Sequence, residues 1–288
     1  MKRADDRVGH SDSFRKKVIV LSDLDGTLLS YPGYSFEAAG PALRLLAEKK
    51  IPLIVCSSKT RREIEYYRKR MHNSDPFVAE NGGGIFIPKG YFKRGDPSAE
   101  SPVEDEGQYE LIRLGVAYDV LREALQGLRR QGFAVRGFGD MTAEEIAQAT
   151  GLSASEAELA RHREFDEPFF FERSGEERER LLDRIREKGF KTTEGTLLHL
   201  LGDSDKGKAA LILARLYKKE YGAITSIGLG DSHNDLPMLE QVDYPVIVRK
   251  HDGTYDSRVD LPNLIRADGI GPEGWNRVVT ELMARLAP

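Results

Sequence analysis

Runs of consecutive apolar residues alternate with amphipathic stretches near both ends of the chain, predicting buried strands separated by helices, the pattern of a parallel α/β sheet. KVIVLSD, Lys17 to Asp23, predicts a strand buried on both faces. SFEAAGPALRLLAEKK predicts a helix and IPLIVCSS a second buried strand. Thr60 is placed to cap the next helix, with Glu63 spaced to reach back in a capping box. FVAENGGGIFI holds two short apolar runs broken by three glycines, so the chain must turn sharply there. Further on, TLLHLLG predicts another core strand and KGKAALILARLYKKEYG a helix closed by Gly222. ITSIGLGDS predicts a further buried strand, NDLPMLEQV a short helix and YPVIVRK one more strand. A last helix opens at Pro272 and contains Trp275.

From about residue 85 the pattern changes. The stretch is richer in charge, and KRGDPSAESPVEDEG predicts a loop or linker. Thr142 with Glu145 and Ser153 with Glu156 repeat the capping-box spacing, which predicts two short helices in tandem. EERERLLDRIREKG predicts an amphipathic helix. The expected organisation is a polar tail over residues 1–16, a core from 17–84 and 197–288, and a domain inserted over 85–196. The fold class is α/β, a Rossmann-like parallel-sheet core with an inserted α/β domain.

Composition narrows the partners. The 288 residues carry a net charge of −4, with 40% hydrophobic and 31% charged side chains, which argues against broad nucleic-acid binding. No apolar run approaches the roughly 18 residues that cross a bilayer, and the opening segment lacks the apolar core of a signal peptide. A single cysteine, Cys56, excludes an intramolecular disulfide and suits a reducing, cytoplasmic setting. It reads as a small buried hydrophobe.

In open α/β sheets, ligands bind beyond the carboxyl ends of the strands. The polar residues there are Asp23 and Asp25, Ser57, Lys206, and GDSHND from Gly230 to Asp235. Acids, a hydroxyl and a cation together suit a divalent metal and a phosphate. Oxygen-only ligands suit Mg²⁺, with Asp23 and Asp231 the natural pair. A metal makes clustered carboxylates tolerable and lets Asp23 approach a phosphoryl group. An aspartate can attack phosphorus to form an aspartyl-phosphate, and Asp25 is free to exchange protons with the leaving oxygen and with water. GDSDKGKA matches a phosphate loop until Ala209 stands where a Ser or Thr should hold Mg²⁺. Asp203 and Asp205 also bring negative charge into that loop. Lys206, rather than Lys208, is therefore the expected phosphate ligand.

DLDGTLL, the strand-end Ser57, the Lys-Gly at Lys206 and GLGDSHNDLPML, in that order, resemble the four motifs of the haloacid dehalogenase superfamily of phosphohydrolases. The resemblance implies Asp23 as nucleophile, Asp25 as general acid/base, and Ser57 and Lys206 as phosphate ligands. It implies Asp231 as metal ligand, with the Asp25 main-chain carbonyl beside it, and Asn234 and Asp235 as supports of the metal and the lysine. A large insert between the second and third motifs resembles the sugar-phosphatase branch. Within it, AENGGGIFIPKGYF, SSKTRREIE, GFGDMTAEEIAQATGLSASEAELARHREFDEPF and above all Arg163 to Phe169 resemble the mannosyl-3-phosphoglycerate phosphatase family. That resemblance implies a small-molecule phosphosugar partner, with the insert holding its sugar and glycerate parts. Another sugar phosphate (glucosyl-3-phosphoglycerate or sucrose phosphate) is the alternative, and a non-catalytic phosphosugar-binding regulator a remote one. Arg163 is expected to meet the glycerate carboxylate and Glu167 to accept sugar hydroxyls. Asn81 and Gly82 mark either a hairpin turn or a close backbone approach to ligand. His199, in an apolar strand, is either a satisfied core histidine or a substrate contact.

Overall fold

The computed structural model describes residues 16–94, 96–99, 101–195 and 197–287. The tail expected over residues 1–16 lies, Lys16 apart, outside the described residues. The chain opens with β1 (Lys17–Ser22), α1 (Gly40–Glu48), β2 (Leu53–Cys56), α2 (Arg61–Arg70), β3 (Phe77–Ala79), β4 (Gly84–Pro88), β5 (Val103–Glu106) and β6 (Tyr109–Arg113). There follow α3 (Tyr118–Arg130), β7 (Arg136–Gly137), α4 (Ala143–Thr150), α5 (Ala154–Ala160), β8 (Asp166–Phe170), α6 (Glu176–Glu187), β9 (Lys191–Glu194) and β10 (Leu198–Leu201). The chain closes with α7 (Lys206–Tyr221), β11 (Ile224–Gly230), α8 (Leu236–Leu239), β12 (Tyr244–Arg249), β13 (Ile265–Ile270) and α9 (Gly271–Leu286).

Among the described residues the strands form two sheets, one ordered β13-β12-β11-β1-β2-β3-β4-β6-β5 and a smaller one ordered β7-β8-β10-β9. From β13 to β3 the large sheet is parallel. Its period-two alternation sends Val18 and Val20 to a layer shared with α1 and α9, and Ile19 and Leu21 to one shared with α7. Burial on both faces explains why these strands read as unbroken apolar runs. Cys56 sits in the α7 layer, where burial pushes its thiol up to about 12.

The strand pairing departs from the expected boundaries at 85 and 196. β4, β6 and β5 pair antiparallel onto β3, so residues 84–113 extend the large sheet, and the predicted linker contributes a strand to it. TLLHLLG, expected in the core, supplies β10, which pairs antiparallel with β8 and β9 in the small sheet. A four-residue buried strand carries no mark of which sheet it joins. The small sheet packs against α3 and α6 around Leu125, Phe169, Leu181 and Leu200. The helices α4 and α5 pack on each other through Ile146 and Ala157. All three expected capping boxes form, at Thr60, Thr142 and Ser153.

Candidate active site

β1 and β11 are parallel neighbours, in register from Lys17 opposite Ile224 to Ser22 opposite Leu229. Their carboxyl ends therefore bring Asp23 and Asp231 together. The Asp23 N–H donates to the Leu229 carbonyl at 2.9 Å. Ser22 Oγ donates to the Asp23 carbonyl at 2.7 Å and accepts the Trp275 indole N–H at 3.0 Å, which ties the strand end to α9.

Lys206 enters in the first turn of α7, whose cap Asp205 accepts the Lys208 N–H at 2.8 Å. Its buried Nζ donates to Asp23 Oδ1 at 2.7 Å and Asp235 Oδ1 at 2.6 Å. Against the cost of burial, those two carboxylates hold the Lys206 ammonium above its ordinary range. Asp235 Oδ2 accepts the N–H groups of Asp231 and Ser232 at 3.0 and 3.1 Å, so it shapes the loop. Lys208, by contrast, points to the surface and bonds Asp203.

Asp23, Asp231 and Asp235 each offer a carboxylate oxygen within 4.8 Å of the others. Burial pushes the Asp23 carboxyl up to about 7, with Lys206 pulling down and Asp235 and Asp25 adding to the rise. Burial, Asp235 and Asp23 push Asp231 well above its ordinary value. Carboxylates crowded in this way are ionised together only with added positive charge. Asp235 is committed to Lys206 and two N–H groups, so Asp23 and Asp231 are the pair that fits a hard divalent cation. Gly26 keeps the space open: its φ is +75° and a Cβ there would lie 2.7 Å from Asp231 Oδ2.

Asp25 points elsewhere. Its Oδ2 lies 3.1 Å from Lys59 Nζ, while its Oδ1 is buried without a hydrogen-bond partner. Lys59 is held in turn by Glu63 at 3.3 Å and lies 4.8 Å from the Tyr34 ring centre. Glu63 completes the Thr60 capping box, so the entry of α2 fixes Lys59 and through it Asp25.

Asp23, Asp25, Lys59 and Asp231 open onto a cavity of about 450 Å³ between the large sheet's carboxyl edge and the inserted elements, the size of a small-molecule site. Lys206, Asp235 and Ser57 are buried and do not line it. The core side contributes Asp23, Asp25, Ser58, Lys59, Asp231 and Asn234, and the insert contributes Phe138, Leu152, Arg163, Pro168, Leu197 and His199. Ser57 is fully buried, with its hydroxyl accepting the Lys59 N–H at 3.2 Å. Lys59, Lys250 and His251 line the cavity and escape the sequence reading. Lys59 stands two residues past Ser57, where strand-end reasoning reaches it.

The expected contacts from the insert divide. Arg163 lines the cavity, but its Nε and Nη1 donate to the carbonyls of Ala160 and Ser58, both at 2.8 Å. These two bonds pin the end of α5 to the β2–α2 loop, while Nη2 lies 4.0 Å from Glu63 Oε2. Glu167 faces away from the cavity. It is fully buried, accepting the Tyr118 hydroxyl at 2.6 Å, Arg122 Nη1 at 2.5 Å and the Gly139 N–H at 3.2 Å. A buried carboxylate with three donors is a structural anchor. Asn81 and Gly82 form the β3–β4 turn with positive φ of 54° and 92°. Gly82 is pressed on α7, where a Cβ would meet the Asp205 carbonyl at 2.1 Å. His199 both lines the cavity and bonds Asp166.

A profile of haloacid dehalogenase-like hydrolases matches residues 20–255. The glucosyl-3-phosphoglycerate/mannosyl-3-phosphoglycerate phosphatase of Methanococcoides burtonii is 43% identical over 272 residues, 93% of this chain and 98% of that protein. The mannosyl-3-phosphoglycerate phosphatase of Pyrococcus horikoshii is 40% identical over 232 residues, 80% of this chain and 90% of that protein. Among solved structures, a phosphatase of the haloalkanoate enzyme superfamily from Bacteroides thetaiotaomicron superposes with a TM-score of 0.62 at 17% identity, covering 98% of this chain and 99% of that one. That likeness concerns the fold.

Proposed function

This chain belongs to the haloacid dehalogenase-like hydrolase family, and from that premise we propose that it is a Mg²⁺-dependent phosphatase converting mannosyl-3-phosphoglycerate to mannosylglycerate and phosphate. The observation that carries the reading is the Lys206 ammonium bridging Asp23 and Asp235 beside Asp231, with Asp25 two residues on. A pure binder of phosphosugars has no use for a nucleophile and a proton carrier side by side.

Asp23 attacks phosphorus through the oxygen that Lys206 does not hold. The bond from phosphorus to the glycerate oxygen breaks, Asp25 gives that oxygen a proton, and an aspartyl-phosphate is left on Asp23. Asp25 then takes a proton from water, whose oxygen displaces Asp23 from phosphorus. The unpartnered Oδ1 of Asp25 is the atom free for both transfers, since Lys59 occupies Oδ2. In this reading Lys206, acting beside Asp23, and the Ser57 loop, whose Ser58 and Lys59 line the cavity, offset the transferring group's charge, the usual source of acceleration in phosphoryl transfer. Mg²⁺ held by Asp23, Asp231 and the Asp25 main-chain carbonyl would offset the negative charge that Asp23 and the phosphoryl group bring together. The apolar wall of Phe138, Leu152 and Leu197 gives the sugar ring a dry face.

Glucosyl-3-phosphoglycerate is the second reading, favoured by the paired name of the Methanococcoides relative. The test is phosphate release from the mannosyl and glucosyl compounds, sucrose phosphate and 3-phosphoglycerate, with and without Mg²⁺. Mg²⁺-dependent release from the mannosyl compound well above the rest is the expected result. Release from a different compound overturns the substrate. Full turnover by Asp23→Asn overturns the chemistry.

A further inference from the structure

We infer that His199 recognises the glycosyl part of the substrate, its Nε2 accepting a hydrogen bond from a sugar hydroxyl, and that Asp166 is the positioning residue that fixes the ring for this task. The inference rests on the phosphatase reading above and adds the group that tells a glycosylated substrate from a bare phosphate ester.

His199 lies in β10 opposite Pro168 of β8, and both residues line the cavity. The ring's Nδ1 is 2.9 Å from Asp166 Oδ1 and 3.0 Å from Oδ2. Asp166 is fully buried and, as a carboxylate, only accepts, so the network assigns the hydrogen to Nδ1. In the neutral imidazole Nε2 is then an acceptor, and among the described residues no protein donor is bonded to it. Leu197, Phe138, Leu152 and Pro168, which line the same cavity, carry no side-chain donor. His199 lines the cavity, so a ligand hydroxyl there can give this acceptor the partner that the protein does not supply.

The partner that orients the ring is itself held. Asn81 Nδ2 donates to Asp166 Oδ2 at 2.7 Å, and Asn234 Nδ2 donates to Asn81 Oδ1 at 3.3 Å. Asn81 itself is held in the left-handed region by the β3–β4 turn. One chain of hydrogen bonds thus runs from the fourth-motif loop through the large sheet's hairpin to both central strands of the small sheet. It fixes where Nε2 sits relative to the carboxylates that handle phosphate. Sites built to bond a substrate hydroxyl discriminate strongly against analogues lacking it.

The test compares the wild type with His199→Ala, His199→Gln and Asp166→Asn on mannosyl-3-phosphoglycerate and p-nitrophenyl phosphate, with a melting temperature for each. It adds calorimetric binding of mannosylglycerate, which carries no phosphate. His199→Ala is expected to lower the ratio of kcat/KM for the glycosylated over the aryl substrate by about 10–100-fold, mainly through KM, and to weaken mannosylglycerate binding by a similar factor. His199→Gln, which keeps an acceptor, recovers part of that ratio, and Asp166→Asn falls between. An unchanged ratio in a folded His199→Ala protein, a folded His199→Gln protein that keeps no more of the ratio than His199→Ala, or unchanged mannosylglycerate binding overturns the inference. Wild-type hydrolysis of the aryl ester but of no glycosylated phosphate overturns the proposed function itself, and is recognised because it needs no variant.

Discussion

Replacing Lys206 with methionine keeps much of the aliphatic stem and removes the ammonium that lies 2.7 Å from Asp23 and 2.6 Å from Asp235. Both carboxylates are buried, and Asp231 crowds the same space. Removing one partner of a buried ion pair typically costs about 3–5 kcal/mol, because the remaining charge is left uncompensated. For a chain of this size each kcal/mol moves the melting temperature by about 2–4 °C, so a fall of about 6–20 °C is expected. The melt belongs in EDTA, since a divalent cation would take over as counter-charge. Loss of the cation beside the transferring group is also expected to lower turnover by about 10²–10³-fold, as for a missing oxyanion donor. Adding Asp235→Asn separates the two effects. The amide keeps an oxygen for the Asp231 and Ser232 N–H groups while it removes one stranded charge, so stability recovers in part and turnover does not. Should Lys206→Met melt within about 2 °C of the wild type in EDTA, or retain turnover within about tenfold, Lys206 is neither counter-charge nor part of the chemistry.

Three further perturbations probe neighbouring parts. Asp25→Asn is expected to lower turnover by about 10²–10⁴-fold and to slow release from a phosphorylated enzyme, read by acid-quench trapping of ³²P; unaltered half-reactions remove Asp25 from proton transfer. Gly26→Ala forces a Cβ to within 2.7 Å of Asp231 Oδ2 at a φ of +75°. It is expected to raise the Mg²⁺ concentration for half-maximal activity and to cost about 1–2 kcal/mol, and wild-type values in both refute the cradle. Burial pushes the Glu80 carboxyl up to about 8, with Arg163 and the Glu164 and Phe165 N–H groups pulling down and Asp166 pushing up. The stability its proton contributes is complete below the unfolded value near pH 4.3 and is lost as pH rises toward about 8. Melting temperatures from pH 5 to 8 are therefore expected to fall more steeply in the wild type than in Glu80→Gln, and parallel slopes refute it.

What the sequence makes legible follows from how each signal is encoded. Strands buried on both faces announce themselves as unbroken apolar runs, and the residue after each run falls at the carboxyl edge, so Asp23 and Asp231 follow from β1 and β11 alone. Capping boxes need only two residues three apart, and all three form. Lys59 is harder to see, because a lysine after a strand usually points to water. Only the packing of Tyr34, Glu63 and Asp25 around Nζ shows it as an interior cation.

The inserted elements are less legible for a physical reason: their short strands pair antiparallel with partners far along the chain. β10 could join either sheet by its own pattern, and only the partners β8 and β9 decide. Arg163, Asp166 and Glu167 are near neighbours in one charged run yet do different things. Arg163 is spent on backbone carbonyls, Asp166 on His199 and Asn81, and Glu167 on Tyr118, Arg122 and Gly139. Asp166 and Glu167 point to opposite faces of β8 because successive strand residues must. Arg163, before the strand begins, obeys no such rule. A run of charges fixes none of those directions until the register of β8 against β10 is known. With His199 opposite Pro168, the cavity receives the histidine, and the conspicuous acidic residue beside it, Glu167, turns inward to hold the insert together.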